Sequence, residues 1–327
     1  MKFKRGKSLN GIMKKNSKIY IAGHRGMVGS SLFKLLESKG YTNLLVKTSD
    51  ELDLRNQNQV KKFFNDEKPD VVIDAAARVG GILANSKFPY QFIMQNLQIQ
   101  NNLIDSSLNI GVKKFVFLGS SCIYPKYAMQ PLKEEYLLTD SLEPTNEYYA
   151  IAKIAGIKSC KAIRTQFNMD FVSLMPTNLY GPNDNFDLKT SHVLPAFIRK
   201  FHEAKNNNSP VFLWGSGTPM REFLFVDDLS EAVIFALENK LPEHLYNVGT
   251  GIDLKISQLA KVVQKIIGHK GEIVWDSSKP DGTPRKLMDI SKMHKLGWKH
   301  KTSLENGIRK TYFWFLDNIK NIKKIKI

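Results

Sequence analysis

"KIYIAGHRGMVGS", residues 18–30, runs from an apolar stretch into three glycines, Gly23, Gly26 and Gly29, each three residues after the last. An apolar run without polar alternation predicts a strand over 18–23 covered on both faces. The segment 27–39 that follows has helical periodicity. In G-x-x-G-x-x-G between a strand and a helix, Gly23 makes the tight turn and Gly26 lets backbone amides approach a pyrophosphate at the helix N-terminus. Gly29 lets helix and strand pack closely. A lone glycine triplet is a weak signal, but its place between strand and helix points to a dinucleotide site. Arg25 lies inside the turn, and no acidic residue stands directly at the end of the second strand in "LLVKTSDE". A guanidinium there can grip a 2′-phosphate through two N–H groups, so the pattern leans to NADP; the bland alternative is a solvated loop cation.

Outward from the turn the same grammar repeats. Strands are predicted at 43–47, 70–77, 114–119 and 171–176, with helices at 56–66, 89–110 and 149–167 between them. Apolar strands alternating with helices predict an α/β fold, a doubly wound parallel Rossmann sheet. Beyond about residue 180, "YGPNDNF", "NNNSP", "WGSGTP" and "KPDGTP" punctuate shorter elements. The expected division is a basic N-terminal extension at 1–17, an NADP-binding domain at 18–180 and a smaller, mainly substrate-binding domain at 181–327. Strands at 222–228 and 245–249 are candidates to return to the first sheet.

Of the 327 residues 42% are hydrophobic and two are cysteine, Cys122 and Cys160. That is enough apolar material for a sizeable core and too little sulfur for a disulfide framework; no Cys/His cluster suggests a metal. The expectation is a reduced, cytoplasmic setting. No apolar run approaches the roughly 20 residues of a membrane span, and the lysine-rich start lacks the apolar core of a signal peptide. The formal charge of +17 invites a nucleic-acid reading. Much of the excess sits in the first 18 residues and in "NIKNIKKIKI", with no basic strip interleaved with aromatics, so neither a nucleic acid nor a membrane is expected as partner. Met13 stands as an alternative start.

Tyr149 and Lys153 in "EPTNEYYAIAKIAG" are four apart and share a helix face. An ammonium beside a phenol lowers its pKa, which prepares the tyrosine to exchange a proton with a substrate oxygen. Such pairs also arise by chance on exposed helices; this one gains weight from the glycine turn and from the hydroxyl cluster "GSS" at 119–121. In "GSSCIYP", Cys122 sits among hydroxyl side chains at a strand end, where a small core residue is the bland reading.

Together, "GHRGMVGS", "AARVGGI", "GSSCIYPK", "EPTNEYYAIAKIAGIK", "MPTNLYGPNDNF", "SHVLPA", "WGSGTPMREFLFVDD", "NVGTG" and "KPDGTPRK" resemble the extended short-chain dehydrogenase/reductases, and among them the GDP-L-fucose synthases. The resemblance runs from about Lys18 to about Phe315. It implies NADP(H) as cofactor, 3,5-epimerisation and 4-reduction of GDP-4-keto-6-deoxy-D-mannose, and a homodimer built on the helices at 89–110 and 149–167. For that dimer Phe92, Ile93, Leu97, Leu103, Ile104, Ile154, Ile157 and Ile163 supply core and interface faces.

Carried over by position, the resemblance makes Cys122 the base and His192 the acid of epimerisation. A ketone acidifies the C–H bonds beside it, and a thiolate and an imidazole are bases that can be tuned near neutral pH. Ser120, Tyr149 and Lys153 become the reducing triad. Gly23, His24, Arg25, Gly26, Met27, Val28 and Gly29 match the cofactor turn. Leu118, Gly119, Ser120, Ser121, Pro176, Thr177, Asn178 and Leu179 wall the nicotinamide, with Lys153 and His192 also in contact with the cofactor. Lys200, Trp214, Arg221 and Asp281 match the GDP-sugar contacts, although Lys200 stands where the family often has an arginine. Lys47 and Ser49 replace a second phosphate-gripping arginine, which predicts a narrower preference for NADPH over NADH. The rival readings are an enzyme for another GDP-4-keto-6-deoxy sugar such as a deoxyheptose, and a non-catalytic NADP-binding regulator.

Overall fold

The computed structural model describes residues 13–279 and 281–322. Residues 1–12 of the basic extension and 323–327 of the basic tail lie outside the described residues. In chain order the strands are β1 (Ile19–Ala22), β2 (Leu44–Leu45), β3 (Val71–Asp74), β4 (Lys114–Leu118), β5 (Asp170–Pro176), β6 (Asn178–Tyr180), β7 (Val211–Trp214), β8 (Met220–Phe225), β9 (Leu245–Val248), β10 (Asp253–Lys255), β11 (Ile273–Asp276) and β12 (Arg285–Lys286). The helices are α1 (Met27–Ser38), α2 (Gln57–Glu67), α3 (Ile82–Lys87), α4 (Pro89–Ile110), α5 (Glu147–Phe167), α6 (Val193–Ala204), α7 (Val226–Glu238), α8 (Ile256–Ile267), α9 (Ser291–Lys295) and α10 (Leu304–Asn318). No helix among the described residues is long and apolar enough to cross a membrane.

Six parallel strands form the main sheet in the order β2-β1-β3-β4-β5-β9. Successive residues of a strand feed opposite faces. Tyr20 and Ala22 join Val60, Phe64, Leu103 and Ile157 under α2, α4 and α5. Ile19 and Ile21 join Leu32, Leu36, Leu229 and Val233 under α1 and α7. A third core packs α6, α8 and α10 against β7 and β8, with Phe197, Phe201, Val263 and Phe315 buried in it.

One expectation is revised by this topology. The segment 222–228 does not return to the main sheet. Its strand ends at Phe225, and β8 pairs with β6, β10 and β12 in a separate sheet. Val226 already opens α7, whose first turn carries Asp227 and Asp228, acidic residues that suit a helix N-terminus. The segment 245–249 does return, as β9 beside β5. Of the apolar residues on the two long helices, Ile93 and Leu97 are half-buried, and Phe92, Leu103, Ile104, Ile154, Ile157 and Ile163 are buried within the chain. They are core because α4 and α5 turn their broad apolar faces to each other and to the sheet. Tyr90, Tyr148 and Ile151 carry the exposed apolar surface of these helices.

The two sheets meet at Glu222, a β8 residue with no exposed surface. Its carboxylate accepts the N–H of Thr250 and, at 2.7 Å, that of Gly251, just past β9; the other oxygen accepts the Met288 N–H at 2.8 Å, just past β12. Its carbonyl oxygen accepts from Thr177 Oγ1 at 3.2 Å and from Asn178 Nδ2 at 2.8 Å, where the chain leaves β5. Burial pushes this carboxyl pKa up, and the three amides hold it back. A buried N–H left unpartnered costs about 1–3 kcal/mol, so Glu222→Gln is expected to lose about 2 kcal/mol and Glu222→Ala about 4 kcal/mol in urea unfolding. Retention of wild-type stability by both variants would rule out this linkage.

Candidate active site

The glycine turn is built as a phosphate cradle. Gly23 has φ +79°, and a Cβ there would stand 2.7 Å from the carbonyl oxygen of Ala75 at the end of β3. A Cβ on Gly29 would stand 2.3 Å from the Gly23 carbonyl oxygen. Gly26 caps α1, which has no acidic residue in its first turn. The opening amides of Met27, Val28 and Gly29 need no intrahelical acceptor and add the positive end of the helix dipole, which suits a pyrophosphate. His24 is half-buried in the turn and Arg25 is exposed. Arg25 faces the end of β2: the Thr48 N–H holds the Glu51 carboxyl pKa below its usual value, and Lys47 and Arg25 act in the same direction. Lys47 lies 3.8 Å from Glu51. Ser49 occupies the same bend.

At the ends of β4 and β5 stand the residues expected around a nicotinamide. Leu118 ends β4, and the Gly119 N–H donates to the Leu174 carbonyl at 2.9 Å. Pro176 ends β5; Thr177 and Asn178 after it are fixed through the Glu222 carbonyl, and Leu179 lies in β6 opposite Leu224 of β8. Ser120 and Ser121 begin the loop after β4, where the Cys122 N–H donates to Ser120 Oγ at 3.4 Å.

Helix α5 brings Tyr149 and Lys153 to this loop. The helix approaches closely because residue 156 is glycine: a Cβ there would stand 2.4 Å from the Phe117 ring. Lys153 Nζ donates to the Leu118 carbonyl at 2.8 Å and lies 4.7 Å from the centroid of that ring and 6.0 Å from the Tyr149 ring. Burial pushes the Lys153 pKa down, opposed by the charges of Asp74 and Cys122. Burial and the neighbouring Cys122 and Asp74 push the Tyr149 phenol well up, while the Ser120 hydroxyl pulls it down. Phe92 packs edge-on against Tyr149 at 6.3 Å.

Cys122 is buried and reduced. Burial raises its thiol pKa; Lys286, then the Ser120 hydroxyl and Lys153, favour the thiolate. Lys286 was not singled out by the sequence. β12 lies beside β8 with Lys286 opposite Arg221, so two cations stand side by side. A small pocket is lined by Cys122, Lys126, Glu143, Thr283, Arg285 and Lys286. Burial lowers the Lys286 pKa, with Cys122 and Glu143 opposing and Arg221 reinforcing the shift. His192 caps α6 and remains exposed at one face, yet the surrounding protein and then Lys286 lower its imidazole pKa. Cys122 and His192 therefore share one cation. Burial thus favours the thiol of Cys122 and the uncharged imidazole of His192, and the Lys286 charge acts toward the thiolate at one and toward the neutral ring at the other.

The four residues expected to hold the sugar nucleotide fall into two pairs flanking the β7–β8 connection. Lys200 Nζ donates to the Phe212 carbonyl at 2.7 Å and lies 5.8 Å from the ring of Trp214, which is 45% exposed and free to stack. Asp281 accepts the Ser216 N–H at 2.7 Å and its hydroxyl at 2.8 Å, and its charge opposes the burial that lowers the Arg221 pKa. Glu143, the other anion near Arg221, pairs with Lys126 at 3.1 Å. Among the described residues no group of three or more His, Cys, Asp or Glu side chains is placed to hold a metal.

Comparison with known proteins agrees with this geometry. Residues 19–249 match the NAD dependent epimerase/dehydratase family. The chain is 55% identical to GDP-L-fucose synthase 1 of Arabidopsis thaliana, over 97% of this chain and 98% of that protein. It is 53% identical to the GDP-L-fucose synthase of Escherichia coli K12, over 92% and 97%. Among solved structures, a GDP-D-glycero-L-gluco-heptose synthase from Campylobacter jejuni, in the presence of NADPH, superposes with a TM-score of 0.88 at 40% identity, covering 93% of this chain and 99% of that one. With its glycine turn, its Ser/Tyr/Lys group and its full-length likeness to these proteins, the chain belongs to the NAD dependent epimerase/dehydratase family and, within it, to the GDP-L-fucose synthases.

Proposed function

We propose that the chain converts GDP-4-keto-6-deoxy-D-mannose to GDP-L-fucose by 3,5-epimerisation and NADPH-dependent 4-reduction. The observation that carries this reading is that the Cys122 thiol shares one loop with Ser120 and one cleft with Tyr149 and Lys153. NADPH, when bound, supplies hydride. Residues 18–180, with β9, carry the cradle for it, and the region 181–327 supplies most of the sugar-nucleotide contacts. Lys200, Arg221 and Lys286 offer positive charge to the diphosphate, and Trp214 offers a stacking face. Ser120 hydrogen-bonds the ketone oxygen, and the ketone itself acidifies the flanking C–H groups. Cys122 removes a proton from one face through its thiolate form, favoured by Lys286, and His192 returns one on the other. Tyr149 then protonates the oxygen as hydride arrives. Arg25 favours NADPH over NADH. Such thiolate chemistry fits a reducing cytoplasm.

The second reading, a related GDP-heptose substrate, draws on the 40% identical Campylobacter structure. The higher identity to the two fucose synthases favours the first. A homodimer through α4 and α5 would cover Tyr90, Tyr148 and Ile151.

Incubation of GDP-4-keto-6-deoxy-D-mannose with NADPH in heavy water is expected to give GDP-L-fucose deuterated at C3 and C5 by NMR. No such product would overturn the reading. In the same assay Tyr149→Phe abolishes reduction and keeps exchange, and Cys122→Ser slows exchange by about 10² to 10⁴.

The pH dependence separates the two proton carriers. A base whose pKa lies above the assay range gains about tenfold in active form per pH unit. Exchange is therefore expected to rise steadily from pH 6 to 8 if Cys122 is the base. A plateau above about pH 6.5 would assign that role to His192, whose lowered pKa leaves it neutral there. For the assembly, light scattering is expected to give twice the chain mass, and a concentration-independent monomer would remove the dimer.

A further inference from the structure

Asp74 ends β3 with no exposed surface. One carboxylate oxygen accepts the Ala76 N–H at 3.2 Å; the other is buried without a hydrogen-bond partner. In the sheet Asp74 stands between Ala22 and Phe117. The Phe117 ring is the one beneath Lys153 Nζ, whose bond to Leu118 uses one of three ammonium protons. Strand register and the approach of α5 thus set a carboxylate and an ammonium beside the same aromatic residue, away from solvent.

The titratable groups that feel Asp74 are Tyr20 from β1 and Lys153, Tyr149 and Cys160 from α5. The two phenols and the Cys160 thiol have pKa values pushed upward and stay neutral through the physiological range, which leaves Lys153 as the charged one of the four. Burial pushes the Asp74 carboxyl up to about 6, with the Lys153 charge opposing, so it is ionised at neutral pH. For Lys153, Asp74 is the largest influence against burial; for Tyr149 it ranks behind burial and Cys122. The main action of the carboxylate therefore falls on the lysine. An apolar residue would fill this position without burying a charge, and the single Ala76 bond does not account for a carboxylate.

We propose that Asp74 is a positioning residue for the reductive step, a buried counter-ion that keeps the Lys153 ammonium charged behind Tyr149. The proposal rests on the reading that Tyr149 and Lys153 carry the reduction.

The test uses Asp74→Asn and Asp74→Leu in the full chain with NADPH bound. Lysine labelled with ¹³C at Cε, with the Lys153 signal assigned from Lys153→Met, is titrated by NMR. The Lys153 midpoint is expected to fall by about one unit or more in both variants. This readout needs no sugar substrate, so it decides the charge pairing even if the proposed reaction fails. With GDP-4-keto-6-deoxy-D-mannose, single-turnover NADPH oxidation at pH 7 is expected to slow about tenfold, with its alkaline limb moved to lower pH, while deuterium exchange keeps its wild-type rate. A folded variant with an unmoved Lys153 midpoint, or with exchange and hydride transfer reduced equally, would overturn the proposal. Should neither variant fold, the wild type and Lys153→Met are compared by ¹³C titration of the Asp74 carboxyl. Its midpoint is expected to rise in Lys153→Met, and no movement would overturn the pairing.

Discussion

The carboxylate of Glu222 is the constraint on which the site geometry rests. One side chain of the smaller sheet accepts amides that follow β9 and β12, while its own carbonyl holds the residues that follow β5. The C-terminal edge of the main sheet, where a cofactor would lie, is thereby fixed against the strands that carry Arg221 and Lys286. Hydrophobic packing is non-directional and would leave these two sheets free to slide by fractions of an ångström. Directional bonds to a shared acceptor do not.

Electrostatically, the cleft is arranged around incompletely compensated cations. Lys153, Lys286, Lys200 and Arg221 all have pKa values lowered chiefly by burial. Arg221 and Lys286 stand next to each other across a strand pair, where like charges are unfavourable. Such an arrangement costs stability, and an anionic ligand would relieve it. A sugar carrying a diphosphate supplies negative charge where the fold has gathered the opposite sign. The same cation that faces Cys122 faces His192, so ligand charge near Lys286 reaches both side chains at once.

The parts legible in the sequence were those written locally. The glycine turn spans seven residues, and the Tyr149–Lys153 pair sits one helical turn apart, so periodicity and spacing disclose both. The main sheet was legible for the same reason, each buried strand being a continuous apolar run. What escaped depends on pairing between distant segments. Nothing around Lys286 marks it as a neighbour of Cys122; only the register of β12 on β8 puts it there. Glu222 reads as one acid in "MREFLFVDD" until its three amide donors are known. The same stretch stands as a candidate for the main sheet, because an apolar run predicts a strand without naming its partner. Its end was legible in principle, since two acids directly after the run mark a helix start. On α4 and α5, apolar spacing could not tell the face that meets the chain itself from one left outward.

Position 156 has a consequence for how this protein can drift. The close approach of α5 to Phe117 leaves no room for one added methyl group, and that approach sets the depth at which Lys153 sits over the aromatic ring. Substitutions on the outer side of the same helix, at Tyr148 or Ile151, meet no comparable limit within the chain. The two faces of one helix are therefore held to different tolerances. Its outer face is open to adjust to new neighbours, while its inner face is held by the absence of a single carbon atom.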